Sequence, residues 1–151
     1  MGRYSLDGQD TNTAGTTILY MIGDTTIRPR VYDLILGSDA TPADNAAEYV
    51  LQRISAEHGT PGGSAVTPRP LDFDDPASVV TAVEAPTGEP TYTADVIVLQ
   101  WAQNQRATFR WVAAPGGEIV VPALAGDGVG IQCITIAGAA VNTNAMMHFM
   151  E

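Results

Sequence analysis

Residues 107–137 read ATFRWVAAPGGEIVVPALAGDGVGIQCITIA. Phe109 and Trp111 alternate with Thr108 and Arg110, the period-two pattern of a strand with one face buried. Ala113–Glu118 then places two glycines after a proline, and AGDG at 125–128 repeats the signal, so each marks a tight turn that needs positive φ. The stretch therefore predicts a meander of three strands ending in the apolar run around Cys133.

The same reading extends over the rest of the chain. Fifteen glycines and ten prolines punctuate 151 residues, with β-branched residues between them. Strands are expected at 16–22, 30–37, 64–68, 95–102, 107–113, 118–122, 129–137 and 142–150. The fold class is all-β: an antiparallel β-sandwich, jelly-roll-like, of about eight strands with short loops. Residues 1–15 are polar and read as a mobile N-terminal arm, leaving 16–151 as a single sandwich domain. Segment 41–58, TPADNAAEYVLQRISAEH, supports two readings. A helix would be capped by Thr41, begun by Pro42 and buried along Ala47, Val50, Leu51 and Ile54. A strand would set Tyr49, Leu51 and Arg53 against Val50, Gln52 and Ile54. Local signals lean toward the helix.

Composition excludes several functions. Seven arginines, no lysine and 17 acidic residues give a net charge of −10, which repels phosphate backbones and anionic membranes. No apolar run reaches the ~20 residues of a membrane helix. The N-terminus MGRYSLDGQD lacks the features of a signal peptide, and Leu6 spoils a myristoylation site. Synthesis in the cytoplasm is expected. Cys133 is the single cysteine, so no disulfide is possible within the chain, and its apolar surroundings suit a buried side chain.

Chemical motifs are few. Asp72, Asp74 and Asp75 form a cluster in TPRPLDFDDPAS (67–78), but their spacing is not that of a calcium loop. Three prolines stiffen the segment, and Leu71 and Phe73 alternate with the acids. A solvated corner tacked down by the apolar pair is the expectation, with a weak cation site second. His58 and His148 lie in no ligand-spaced motif; His58 suits a solvated turn and His148 an exposed or interface strand position. Ser64 lacks a nucleophile elbow, and GDGVG (126–130) leads into a strand rather than a helix. Trp101 and Trp111 could stack on a sugar, though buried strand positions suit them better. No residue set supplies nucleophile, base and oxyanion donor together. A non-enzyme without a cofactor is expected.

Three stretches, 17–55, 59–78 and 106–132, taken as a set, resemble small proteins encoded among the head and tail genes of tailed bacteriophages. The resemblance is to capsid decoration, or cement, proteins. It implies a jelly-roll sandwich on the outer capsid surface, often a homotrimer, with the major capsid protein as partner and neither nucleic acid nor membrane bound. It also favours a strand within 46–56, and it carries no catalytic residue. In that setting Arg28, Arg30 and Arg53 are candidate contacts to acidic partners. A carbohydrate- or receptor-binding module of a tail or fibre, using Trp101, Trp111 or Tyr92, is the alternative.

Overall fold

The computed structural model describes residues 1–55 and 62–151. His58 and the end of segment 41–58 lie outside the described residues. The strands are β1 (Arg3–Thr11), β2 (Thr17–Ile22), β3 (Arg30–Ser38), β4 (Ala46–Ile54), β5 (Ser64–Val66), β6 (Arg69–Pro70), β7 (Thr81–Glu84), β8 (Tyr92–Asn104), β9 (Phe109–Val112), β10 (Ile119–Val120), β11 (Gly128–Ile136) and β12 (Asn142–Met150). They form two six-stranded sheets. The first runs β10-β3-β12-β1-β6, with β9 also paired to β3; the second runs β5-β7-β2-β11-β4-β8.

Eight of these strands make the sandwich: β1-β12-β3-β9 in one sheet and β2-β11-β4-β8 in the other. That order is two interlocked Greek keys, the jelly roll. The remaining four, β5, β6, β7 and β10, are two to four residues long and extend the sheet margins. Every pairing is antiparallel. Tyr4, Leu6, Leu34, Leu36, Met147 and Phe149 face the core from the first sheet. Leu19, Met21, Tyr49, Leu51, Ile131 and Cys133 meet them from the second.

The expected N-terminal arm is overturned for residues 3–11. They pair with β12 from Arg3↔Met150 to Thr11↔Asn142, and Tyr4 stacks on Phe149 at 5.4 Å. Alternation explains it. Tyr4 and Leu6 turn inward while Arg3, Asp7 and Gln9 are exposed, so two large side chains anchor an otherwise polar strand. Gly8 continues the inward face, where a Cβ would lie 2.8 Å from Leu19 Cδ1 and from Glu84 Cβ.

Segment 41–58 contains a strand over 46–54 and, among its described residues 41–55, no helix. β4 lies between β11 and β8. Ala47, Tyr49 and Leu51 enter the main core, while Ile54 joins Tyr20 and Ile22 in a second cluster beneath Val83 and Tyr92. A strand buried on both faces loses its clean alternation, and here its apolar residues happened to fall at helical spacing.

The three-strand meander is likewise corrected. β9 and β10 both pair with β3, and β11 belongs to the other sheet. The turns themselves form where the glycines stand. Gly117 N donates to Ala114 O at 2.8 Å, and Asp127 N to Leu124 O at 3.2 Å. Gly116 and Gly126 take φ of 80° and 81°. The first turn thus joins two short strands along one neighbour, and the second crosses between sheets.

Candidate interaction surface

Parity along the strands of the first sheet decides which side chains face away from the core. Opposite the buried Tyr4, Leu6, Met147 and Phe149 stand Arg3, Ser5, Met146, His148 and Met150. The register aligns them in rows. One row runs Arg69, Ser5, His148, Asp33, Val112 across β6, β1, β12, β3 and β9. A second runs Arg3, Met150, Arg30, Val120. A third runs Asp7, Met146, Ile35, Arg110. Four of the seven arginines therefore share one sheet face.

Only one of those four has a carboxylate partner among the described residues. Arg110 reaches diagonally to Asp33, with Nε donating to Oδ1 at 3.1 Å and Nη2 to Oδ2 at 2.7 Å. His148 Nδ1 lies 3.4 Å from the same Oδ2. Asp33 is 4% exposed, yet the Arg110 guanidinium holds its carboxyl below the ordinary range, with burial opposing and His148 assisting. Arg3, Arg30 and Arg69 are exposed and form no ion pair among the described residues. The face is thus locally basic on a chain of net charge −10. Arginine with Met146, Met150, Tyr32 and Ile35, and no lysine, is the composition enriched at protein interfaces. Beside it, Gln9, Ile35, Gly37, Thr108, Asn144 and Met146 line a shallow depression of about 610 Å³.

The candidates read from the sequence do not gather at one point. Arg28 and Arg30 are exposed at the start of β3. Arg53 lies in the second sheet and is bonded to the buried carboxylate of Asp127. Asp72, Asp74 and Asp75 form a corner beyond β6: Asp72 Oδ1 accepts from Asp74 N at 3.1 Å, and Asp75 N donates to Asp72 O at 3.0 Å. Among the described residues no three His, Cys, Asp or Glu side chains converge to hold a metal. The apolar pair does not tack this corner down. Phe73 is 93% exposed and Leu71 47%, and the segment is held instead by its backbone, Leu71 N donating to Arg3 O at 2.7 Å at the sheet margin.

The aromatic residues are otherwise engaged. Trp101 packs on Phe109 at 4.5 Å and near-parallel, and on Tyr49 at 5.8 Å. Trp111 packs against the main core. Tyr92 lies over Gly130, where a Cβ would come within 2.4 Å of its hydroxyl, and that hydroxyl shares a 2.7 Å hydrogen bond with Thr17 Oγ1. Burial raises the Tyr92 pKa.

Sequence reading missed Arg3, Arg69, Arg110 and Asp33 as members of this surface. The alternation at 108–111 already turned Arg110 outward; the other three needed the strand register. Comparison with protein-family models, with curated proteins and with solved structures finds no match to this chain.

Proposed function

We propose that the protein is a non-enzymatic structural component of a virion, a decoration protein that binds the major capsid protein on the outer capsid surface and stabilises the head. The observation carrying this reading is the open, arginine-bearing face of the first sheet. A broad surface with methionines, a tyrosine and three arginines that have no carboxylate partner among the described residues suits attachment to a large acidic protein lattice. The jelly roll supplies the rigid support, and the resemblance read from the sequence supplies the setting. A net charge of −10 favours an address away from the packaged nucleic acid. A homotrimer, without cofactor, is part of the proposal.

The carbohydrate-binding alternative loses its stacking platform, since Trp101 and Trp111 turn toward the core. The decisive experiment adds the purified protein to empty capsids assembled without it. Saturable binding, with a rise in the temperature at which the shells come apart, is the expected result. Shells that neither bind it nor gain stability would remove the proposal.

A further inference from the structure

We infer that copies of this chain associate head to tail through opposite margins of the first sheet, the Phe73 loop of one copy seating on the Arg28–Arg30 margin of the next. The inference takes the homo-oligomer of the proposed function and names its contact surfaces.

Phe73 is the most exposed large hydrophobic side chain among the described residues. A phenylalanine 93% exposed costs solvation in the free protein, and its loop is held as though for a purpose. Pro68, Pro70 and Pro76 restrict the backbone, Leu71 N is bonded to Arg3 O, and Arg3 N donates to Asp75 Oδ2 at 3.4 Å. A rigid loop presenting an apolar anchor loses little conformational entropy on binding. Asp72 and Asp74 flank that ring and face solvent, so the surface that receives it must be apolar at its centre and basic at its rim.

The opposite margin of the same sheet has that chemistry. The row Val120, Arg30, Met150, Arg3 ends on one side at the Leu71–Asp75 corner and on the other at β10. At the β10 side, Arg28 and Arg30 are exposed without carboxylate partners among the described residues. Val120, paired with Arg30, is 39% exposed there, and Leu124, 55% exposed, follows four residues on. The two margins lie roughly 20 Å apart at ~4.8 Å per strand, so the loop cannot reach Arg28 and Arg30 of its own copy. A second copy can bring them together. The patches differ, so the contact is heterologous: repeated about an axis it closes into a ring when the rotation per copy divides a full turn, and it runs on as a filament when it does not. The trimer of the proposed function is such a ring.

The test is solution mass by light scattering on a sizing column, on the intact chain and four variants. Phe73→Ser, the pair Arg28→Glu with Arg30→Glu, and the pair Asp72→Arg with Asp74→Arg should each weaken association at least about tenfold. The chain carrying both charge pairs should regain the oligomer, because the attraction is restored with its sign exchanged. Association of the unaltered protein should also weaken between about 0.01 M and about 1 M salt, as the Debye length falls from ~30 Å to ~3 Å. All altered positions are exposed, and unchanged circular dichroism would verify the fold. An oligomer indifferent to all four variants overturns this contact while leaving the homo-oligomer standing. A chain monomeric up to about 1 mM overturns both, and capsid binding then stands or falls on its own experiment.

Discussion

Asn12 donates through Nδ2 to the Tyr49 hydroxyl at 2.8 Å, joining the end of β1 in one sheet to the middle of β4 in the other. Its Oδ1 accepts from Val141 N at 2.7 Å, and its own N–H donates to Val141 O at 3.0 Å. Tyr49 also approaches Thr143 Oγ1 at 3.4 Å, and all four residues are buried. A polar bridge so placed fixes how the sheets sit on each other, and its loss strands donors in the core. Asn12→Ala should cost about 2–4 kcal/mol, from an orphaned Val141 N–H and a weakened Tyr49 hydroxyl. Urea denaturation checks this; a cost under ~1 kcal/mol would mean that the bridge does not hold the sheets.

Removal of residues 1–11 separates a strand from an arm. β1 is an interior strand, with β12 on one side and β6 on the other. Its loss takes Tyr4 and Leu6 from the core and bares β12 along nine residues. Typical domain stability is only ~5–15 kcal/mol, so the truncated chain should show no cooperative thermal transition. A truncation that melts like the full chain would restore the arm.

Why β1 escaped notice, while its neighbours did not, lies in its composition. Tyr4 and Leu6 are its only large inward residues, and Asp7, Gly8, Gln9 and Asp10 follow, residues that locally favour turns. The strands around Leu34, Ile131 and Met147 announced themselves because burial demanded apolar alternation. β4 was ambiguous for the opposite reason: burial on both faces erased the alternation. The sandwich was therefore legible from the turns at 114–117 and 124–127 even though the strand neighbours they imply were wrong. The arginine face was not legible, since Arg3, Arg30 and Arg69 are far apart in the chain and only the pairing of β1, β6, β12 and β3 aligns them.

Trp101 stands at the centre of an aromatic stack with Phe109 and Tyr49. Trp101→Ala should cost about 3–5 kcal/mol, the range for a buried large aromatic. Trp101→Phe should cost far less. The indole Nε1 is buried without a partner among the described residues, so removing it deletes an unsatisfied donor and offsets the lost volume. Equal destabilisation by the two variants would show that the indole edge, not the ring stack, is what the core requires.

Cys133 is buried, and burial pushes its thiol pKa up to about 11. The thiolate is the reactive form, so neutral-pH labelling by a disulfide reagent should be slow in the native protein. Labelling should accelerate in urea in step with the loss of tertiary structure. Rapid stoichiometric labelling without denaturant would show that the β11 region opens independently of global unfolding.

The Asp33–Arg110 pair sets a direction for acid stability. The guanidinium hydrogen bonds keep the folded pKa of Asp33 below that of an unfolded aspartate, about 3.9. The folded state therefore binds this proton more weakly than the unfolded chain. Stabilisation from Asp33 is complete above the unfolded value and is lost as pH falls through the lower folded one. Arg110→Gln removes the main cause of the shift, so its acid-unfolding midpoint should move upward relative to the parent. Asp33→Asn should flatten the dependence of stability on pH below about 4, whatever it does at neutrality. Chemical denaturation across that range measures both. If Asp33→Asn keeps the parent's acid slope, other carboxylates govern acid unfolding and the Arg110 contact matters only for the shape of the outer face.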